Sequence, residues 1–444
     1  MAGEWTLINL DDVCSKIGSG ATPRGGSDVY LESGPYALIR SQNVYNDGFH
    51  HDGLAYIDEK HAAELDGVEV LKGDVLLNIT GDSVARACQV DPSVLPARVN
   101  QHVAIIRPDS DKLDPRFLRY FLVSPEMQVK LLSWAGSGGT RNALTKGMIE
   151  SVGVLAPEDI TEQRAIAHIL GTLDDKIELN RRMNETLEAI ARALFQSWFV
   201  DFDPVRAKME GRWRKGESLP GLPAHLYDLF PDSFEESELG EIPRGWELGS
   251  FGGVVEHLRD QENPLSSPEA LYHHFSLPAF DEGQSPKAEY GESIKSQKSR
   301  VPAGVVLLSK LNPEIERVWL VDVRPAERAI CSTEFLVLRA QFPFTRSFVY
   351  CLARSPLFRQ QIEGLVTGTS KSHQRAQVDS ILHLAVVVPP SSIAAAFDRS
   401  AEGLLARTLK CRRESCTLAA LRDALLPRLI SGELRITISE AIRA

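Results

Sequence analysis

The chain has 444 residues, of which 43% are hydrophobic and 25% are charged, and this composition predicts a globular protein with two or more domains. Its six cysteines are scattered, without a CxxC pair or a clustered pair of histidines, which disfavours structural zinc and favours a reducing, cytoplasmic location. Because no apolar stretch has the length that a signal peptide or a membrane span needs, we expect neither.

The net charge of −11 disfavours nucleic acid as a partner at first sight. The acidic excess is uneven, because residues 241–388 carry 16 basic and 17 acidic side chains, whereas residues 156–240 carry 10 and 17. Contact with DNA must therefore come from local basic loops, or from a partner that supplies much of the positive charge.

Two segments of the chain are related to each other. The run Val70-Leu-Lys-Gly-Asp-Val-Leu-Leu77 returns as Val301-Pro-Ala-Gly-Val-Val-Leu-Leu308, which is an offset of 231 residues. Residues 136–157 return as residues 368–389, with an offset of 232 residues. A repeat of this length is a duplicated domain, and it indicates an object that is held at two equivalent places.

Each repeat is predicted to be an α+β module with an irregular sheet. Short β-type runs are separated by Gly, Pro, Asn and Asp, and a short helix follows the last of them. The predicted strands are residues 37–40, 74–79 and 102–107 in the first repeat and 304–308, 318–323 and 334–339 in the second, and the predicted helices are 114–122 and 345–353.

A long helix is predicted after the first repeat, from near Thr161 to about Phe199. Its apolar residues alternate spacings of three and four, which is typical of a coiled-coil seam. The seam residues are Leu170, Leu173, Ile177, Asn180, Asn184, Leu187, Ala191, Leu194 and Trp198. The two Asn residues either fix the register and partner of the seam or lie at a solvated edge.

The second long helix is predicted from about Ser392 to Leu425, with a rougher stripe that includes Phe397 and Leu404. At ~1.5 Å per residue these helices span roughly 50–57 Å, so we expect them to pack on each other. An antiparallel pair would place one module at each end, related by a pseudo-two-fold axis. The Pro- and Gly-punctuated connector between the modules is expected to be loop with little core of its own.

The ordered set of motifs resembles the specificity subunits of type I restriction-modification systems, over nearly the whole chain. The motifs that carry this resemblance are Glu162-Gln163, Leu173-Asp174-Asp-Lys-Ile177, Ala193-Leu-Phe-Gln-Ser-Trp-Phe-Val-Asp-Phe202, Ser309-Lys-Leu-Asn-Pro313, Ser332-Thr-Glu-Phe335 and Leu421-Arg-Asp-Ala-Leu-Leu-Pro-Arg-Leu-Ile-Ser-Gly-Glu-Leu434. The resemblance implies two α/β target recognition domains, separated by a pair of long antiparallel coiled-coil helices. The implied boundaries are 1–156 for target recognition domain 1, 157–203 for spacer helix 1, 204–240 for the connector, 241–388 for target recognition domain 2, 389–434 for spacer helix 2 and 435–444 for a C-terminal tail.

The resemblance also implies a division of labour among subunits. The chain would recognise a split double-stranded DNA target, dock two methyltransferase subunits and carry no catalytic residue. Adenine-specific methylation and DNA cleavage would belong to methyltransferase and restriction/motor subunits, and S-adenosylmethionine, ATP and Mg²⁺ would bind only there.

Candidate DNA contacts lie in two loops at equivalent places in the repeats. Glycines let backbone N–H groups approach phosphates, and the neighbouring side chains supply donors. The candidates are Gly136, Ser137, Thr140, Arg141, Asn142 and Lys146 in the first repeat and Thr369, Ser370, Lys371, Ser372, Gln374 and Arg375 in the second. The alternative for both loops is a plain surface turn.

Further candidates follow from the chemistry of base recognition. Arg pairs with guanine O6 and N7, and Gln or Asn pairs with adenine N6 and N7, so Arg40, Gln42 and Asn43 could read base edges. Arg86 is a weaker candidate, as are Gln101 and His102. The densest basic cluster of the second repeat is Lys295, Lys298, Arg300 and Lys310. A polar loop or a solvated charged face is the alternative in each case.

The sequence contains none of the common catalytic motifs. It has no GxGxxG loop after a strand, no GxxxxGK[ST] phosphate loop, no HExxH motif and no Asn-Pro-Pro-aromatic segment. A self-contained DNA methyltransferase is therefore disfavoured, and no metal site is expected. The alternative from another class is a coiled-coil adaptor whose two heads bind proteins.

Overall fold

The computed structural model describes residues 4–136, 142–366 and 374–436. The chain forms two compact units. Unit 1 is Met1–Glu178 with Thr417–Ala444, and unit 2 is Leu179–Cys416. Within the described residues, none of the helices combines the length and apolar character that a membrane span requires.

Unit 1 is an α+β fold with two four-stranded sheets and a two-stranded one. Its strands are β1 (Trp5–Asn9), β2 (Cys14–Ser19), β3 (Tyr36–Ile39), β4 (Ala55–Ile57), β5 (Glu69–Val70), β6 (Val75–Asn78), β7 (Ala87–Gln89), β8 (Ala97–Val99), β9 (Val103–Pro108) and β10 (Gly153–Pro157). Its helices are α1 (Leu10–Val13), α2 (Glu59–Glu64), α3 (Pro115–Val123), α4 (Pro125–Gly136), α5 (Lys146–Glu150) and the start of α6 (Ile160–Phe199). The sheet orders are β2-β9-β6-β7, β4-β3-β8-β5 and β1-β10.

The β2-β9-β6-β7 sheet of unit 1 is buried on both faces. Successive side chains on a strand point to opposite faces, and β6 shows the result. Val75 and Leu77 pack in one core with Phe117 of α3, whereas Leu76 packs in a second core with Ile39 of β3. The helices therefore cover one face of this sheet and the other four-stranded sheet covers the second face.

Unit 2 repeats this plan with additional elements. Its strands are β11 (Phe234–Ser237), β12 (Gly240–Pro243), β13 (Glu247–Ser250), β14 (Val255–Leu258), β15 (Gln261–Glu262), β16 (Leu271–Phe275), β17 (Lys287–Tyr290), β18 (Lys298–Arg300), β19 (Val305–Ser309), β20 (Val318–Leu320), β21 (Ala329–Cys331), β22 (Phe335–Ala340) and β23 (Ala385–Val388). Its helices are α7 (Asp203–Met209), α8 (Phe251–Val254), α9 (Leu277–Asp281), α10 (Arg346–Ala353), α11 (Pro356–Gly364), α12 (Val378–Leu382) and the start of α13 (Ser391–Ile430). The sheet orders are β14-β22-β19-β20, β15-β18-β21-β16-β17, β13-β23 and β11-β12.

The buried pattern of the central strand recurs in unit 2. Val306 and Leu308 of β19 pack in the core that contains Phe348 of α10, whereas Val305 and Leu307 pack in a second core with Phe275. These are the positions of β6 shifted by the repeat offset, so the duplicated α+β fold expected from the sequence is present.

Helices α6 and α13 are each 40 residues long and run antiparallel within each unit. In unit 2, Asn180 donates to Glu414 at 3.1 Å, and further along α6 the ring of Phe195 lies 5.6 Å from that of Phe397. In unit 1, the corresponding polar contact joins Asp174 to Arg422 at 2.8 Å. Because Asn180 has no exposed surface, it lies in the seam, and the alternative of a solvated edge is wrong for this residue.

The expectation that the connector has little core is wrong. It contains α7 and the β11-β12 hairpin, and Trp213, Leu222 and Phe230 are buried in the main core of unit 2. The ring of Phe230 meets that of Trp198 at 5.3 Å, close to the end of α6. These apolar residues follow neither a helical nor a strand period, so the sequence pattern gave no sign of their burial.

Candidate nucleic-acid interface

Four polar segments meet at one edge of unit 1, which we call loop edge 1: residues 40–43, 78–81, 100–102 and 142–144. The first and third leave neighbouring strands, because β3 and β8 are parallel with Ile39 opposite Val99. Asn100 N–H then donates to the Ile39 carbonyl at 3.1 Å. Parallel strands end at the same edge of a sheet, so the loops that follow them lie together.

Backbone and side-chain hydrogen bonds hold loop edge 1 together. Ile79 N–H donates to the His102 carbonyl at 3.0 Å, and Leu144 N–H donates to the Ile79 carbonyl at 2.8 Å. The Asn78 amide donates to the Ser41 carbonyl at 2.9 Å. Segments that are far apart in the sequence, and that the sequence marked separately as DNA-contact candidates, therefore form one surface.

Unit 2 builds the same frame at its own edge, which we call loop edge 2: residues 276, 309–312, 332–334 and 374–376. Ser332 N–H donates to the Phe275 carbonyl at 3.1 Å, and Lys310 N–H donates to the Glu334 carbonyl at 3.0 Å. Ala376 N–H donates to the Lys310 carbonyl at 3.0 Å. Each of these three bonds matches one at loop edge 1, shifted by the repeat offset.

The predicted residues at the start of loop edge 1 have different exposures. Arg40 donates to the Gly53 carbonyl at 2.5 Å and lies over the Tyr30 ring at 5.3 Å. The exposed Gln42 donates to the same carbonyl at 3.0 Å. Asn43 is fully buried and its amide donates to the His50 carbonyl at 2.9 Å and the Asp52 carbonyl at 3.2 Å. Asn43 thus supports the loop that carries Arg40 and Gln42.

The remaining predicted residues of unit 1 lie around the Gly-rich loop. Gly136 is the last residue of α4, and Asn142 is exposed and accepts a bond from Gly81 N–H at 3.2 Å. Lys146 is exposed at the start of α5 and pairs with Glu150 at 3.2 Å. The Arg86 guanidinium stacks over the Tyr45 ring at 4.5 Å. Seven predicted contacts lie outside the described residues: Ser137, Thr140, Arg141, Thr369, Ser370, Lys371 and Ser372.

The structure separates the predicted basic cluster of unit 2. Lys298 and Arg300 lie on β18 in the five-stranded sheet, where Arg300 pairs with Glu262 at 2.9 Å. Lys295 donates to the Glu292 carbonyl at 2.5 Å. Burial lowers the pKa of the Lys298 ammonium group. Lys310 instead belongs to loop edge 2, directly after the central strand β19.

Arg375 and Gln374 bring charge and hydrogen-bonding groups to loop edge 2. Gln374 accepts a bond from Asn312 N–H at 2.8 Å through its backbone carbonyl. Arg375 donates to Glu334 through two nitrogens, at 3.1 and 2.8 Å. The pKa of the His257 imidazole is lowered, first by burial and then by the positive charges of Arg259 and Lys310. A cationic environment therefore forms beside loop edge 2, although the chain as a whole is acidic.

Sequence reasoning ranked His102 low and missed Glu334. The two residues occupy the same place in the two frames, because each accepts the bond from the residue that follows the central strand. His102 receives further support from Thr80 at 2.6 Å. The signal that could have found Glu334 is the repeat offset of 232 residues from His102 to Glu334. The described residues hold no group of three or more His, Cys, Asp or Glu that could bind a metal ion.

The fold and the two loop edges define the class of this protein: a duplicated α+β protein with two long helices and one set of polar loops in each unit. Residues 2–189 match the family model of the type I restriction modification DNA specificity domain. The resemblance of the sequence to the specificity subunits of type I restriction-modification systems is thereby confirmed, and residues 2–189 carry the DNA recognition domain of that family.

Individual relatives extend this similarity along the chain. The type I restriction enzyme HindI specificity subunit of Haemophilus influenzae is 25% identical and covers 97% of this chain and 100% of its own length. The MjaIX specificity subunit of Methanocaldococcus jannaschii is 24% identical, with 98% and 94% covered. A crystal structure of the type I restriction-modification S subunit from M. genitalium has the same fold, with a TM-score of 0.59, 12% identity and 96% of each chain covered.

Proposed function

We propose that this chain reads a split double-stranded DNA target, with one half-site recognised by loop edge 1 and the other by loop edge 2. The observation that carries the proposal is the repetition of one hydrogen-bonded loop frame in both units, from Ile79, His102 and Leu144 to Lys310, Glu334 and Ala376. Two copies of one frame suit two short segments of one kind of polymer.

The side chains that differ between the two frames suit two different half-sequences. Loop edge 1 has Arg40, Gln42 and His102, whereas loop edge 2 has Lys310 and Arg375. A shared backbone frame keeps each loop in register on the duplex, and the exchanged side chains select the bases. One fold can in this way read two unrelated short sequences.

The acidic balance of the chain bears on its partners. Because a net charge of −11 opposes the approach of DNA, we propose that tight binding requires two methyltransferase subunits, which supply positive charge and the methylation chemistry. In this proposal the chain is not catalytic and has no cofactor of its own. Restriction/motor subunits join the complex for cleavage, S-adenosylmethionine, ATP and Mg²⁺ bind to partner subunits, and the complex acts in the cytoplasm.

Helices α6 and α13 would set the unspecified gap between the half-sites. Forty residues of α-helix span about 60 Å at ~1.5 Å per residue, which is long enough to separate two short DNA segments by more than one turn. Their 40-residue length supports a spacing role, because helices of globular domains are about 12 residues long on average.

A competition gel shift tests the proposal. The full chain is mixed with its methyltransferase partner and presented with a duplex that contains the methylated motif, or with the same duplex in which both half-sites are scrambled. We expect at least ~1000-fold tighter binding to the intact motif at physiological salt, as is usual for specific DNA-binding proteins. Equal binding to both duplexes would contradict the proposal and favour an adaptor whose heads bind proteins.

A further inference from the structure

Arg375 is fixed in place through the backbone on both sides. Asn312 N–H donates to the Gln374 carbonyl at 2.8 Å, and Ala376 N–H donates to the Lys310 carbonyl at 3.0 Å. Arg375 itself forms an isolated antiparallel bridge with Leu311. The Cα position of Arg375 is therefore tied to the end of the buried strand β19, even though the residue directly follows the Gly-rich loop of unit 2.

The side chain of Arg375 is fixed as well. Glu334 accepts from its Nε at 3.1 Å and from its Nη2 at 2.8 Å, which is the bidentate geometry of an arginine–carboxylate pair. The Glu334 side chain is 19% exposed, whereas the Arg375 side chain is 53% exposed. The carboxylate thus holds one edge of the guanidinium from the protein side and leaves the rest of the group toward solvent.

The part of the guanidinium that remains available matches one base. Arginine has five N–H donors, and Glu334 uses two of them. The remaining three include one N–H on each terminal nitrogen, and this parallel pair at the outer end of the group fits the O6 and N7 acceptors of guanine in the major groove. A group held in advance loses less conformational entropy when it binds.

A second ion pair in the same unit lacks these features. Arg339 meets Glu256 through one contact at 3.3 Å between two exposed strands, and its side chain is 50% exposed. Exposed ion pairs of this kind contribute little to stability. Arg339 lies at the opposite end of β22 from Glu334, so it serves as a matched control of the same residue type and exposure.

We propose that Arg375, positioned by Glu334, reads a guanine in the half-site of unit 2. The proposal rests on the proposed function and adds the base and the two residues. A bidentate contact of this kind discriminates against the wrong base by about 5- to 150-fold. The half-site of unit 2 therefore contains a G·C pair that depends on this one side chain.

Selection from a randomised duplex library tests the proposal. The full chain with its methyltransferase partner is used to select bound duplexes, and the base preference at each position is determined by sequencing for the native protein, Arg375→Ala, Glu334→Gln and Arg339→Ala. We expect Arg375→Ala to abolish one guanine preference and to leave all other positions unchanged. Arg339→Ala should leave every position unchanged.

The Glu334→Gln variant distinguishes positioning from folding. We expect the same guanine preference to weaken by at least about 5-fold, while the melting temperature is unchanged and binding to random duplex is equal or stronger, since a negative charge is lost. Native selection without any sequence preference would contradict the proposed function itself. A native split motif in which Arg375→Ala lowers affinity uniformly, or changes an A·T position, would overturn this inference alone, because a uniform loss is the sign of a phosphate contact.

Discussion

A buried carboxylate on α6, Glu188, joins three elements of unit 2. It accepts from Arg412 of α13 at 2.6 Å, from the Tyr350 hydroxyl of α10 at 3.0 Å and from Arg354, which follows α10. The side chain of Glu188 is only 12% exposed, and that of Arg354 is 13% exposed. Replacement of Glu188 should therefore destabilise unit 2 strongly, because it leaves two nearly buried arginines without their shared counter-charge.

The size of the effect follows from these contacts. Breaking a buried ion pair by removing one partner costs about 3–5 kcal/mol, and Glu188→Ala removes the acceptor of two arginines and a tyrosine. Glu188→Gln keeps the shape and one acceptor oxygen, so it should cost about 1.5–3 kcal/mol, the range for a hydrogen bond to a charged group. Glu316 still pairs with Arg354 in both variants, which limits the loss.

Urea unfolding of the full chain, followed by tryptophan fluorescence, measures this loss. Unit 2 contains Trp198, Trp213, Trp246 and Trp319, so it contributes four of the six tryptophans. The control is Glu185→Gln on the same helix, whose side chain is 62% exposed and pairs with Arg181, and which should change the unfolding free energy by no more than about 0.5 kcal/mol. Equal midpoints for Glu188→Ala and Glu185→Gln would refute the reasoning.

The pH dependence gives a second view of the same group. The positive charges of Arg412 and Arg354 and the hydrogen bonds of the site lower the pKa of Glu188 below its ordinary value of 4.5, against the opposing effect of burial. A lowered folded-state pKa contributes stability above the unfolded value and loses it as the pH falls through the folded value. The stability of Glu188→Gln should therefore fall less steeply than that of the native chain below pH 4.5.

Two further predictions concern the loop frame and the helices. A Cβ on Gly20 would lie 1.7 Å from the Val99 carbonyl oxygen, whereas one on Gly18 would meet nothing within 4 Å. Gly20→Ala should therefore lower stability by about 1–3 kcal/mol or more and weaken the preferences of the half-site of unit 1, while Gly18→Ala changes neither; equal melting curves and motifs would contradict this. Matched heptads inserted in α6 and α13 should lengthen the gap in the methylated motif by about three base pairs and leave both halves unchanged, since seven helical residues span ~10 Å; an unchanged gap in a folded variant would count against the spacing role.

Much of the fold could be predicted from local patterns. The apolar run of residues 74–79 gave β6, and the Asp114-Pro115 pair gave the start of α3, where the Asp114 side chain accepts from two backbone N–H groups. Helix α6 begins and ends within a residue of its predicted bounds. Such elements depend on nearby residues, so their signals are present in a single stretch of sequence.

Helix α13 shows where local patterns mislead. Pro427 favours an end near Leu425, but the helix continues to Ile430 because Leu426, Leu429 and Ile430 bury their side chains in unit 1. The predicted stripe used Leu404, whereas the fully buried positions are Ala401 and Leu405. Small residues that allow close helix contact leave no apolar signal of their own.

The candidate interface could be predicted only in part. The two Gly-rich loops were visible as a repeat, but the bonds that join residues 78–81 to residues 100–102 and 142–144 span many residues of chain and follow no local period. For the same reason the burial of Asn43 and the pairing of Glu334 with Arg375 required the structure. Side chains chosen for their chemistry alone include some that support the loops and some that face solvent.

The most direct test of the central claim is the methylated motif itself. Genome-wide methylation is sequenced in a host that carries this chain with its methyltransferase partner, and the bases around each modified position are aligned. The account predicts one motif with two short defined halves and a gap of constant length and free sequence between them. A single continuous motif, or methylation without any shared sequence, would contradict the reading of DNA by two loop edges.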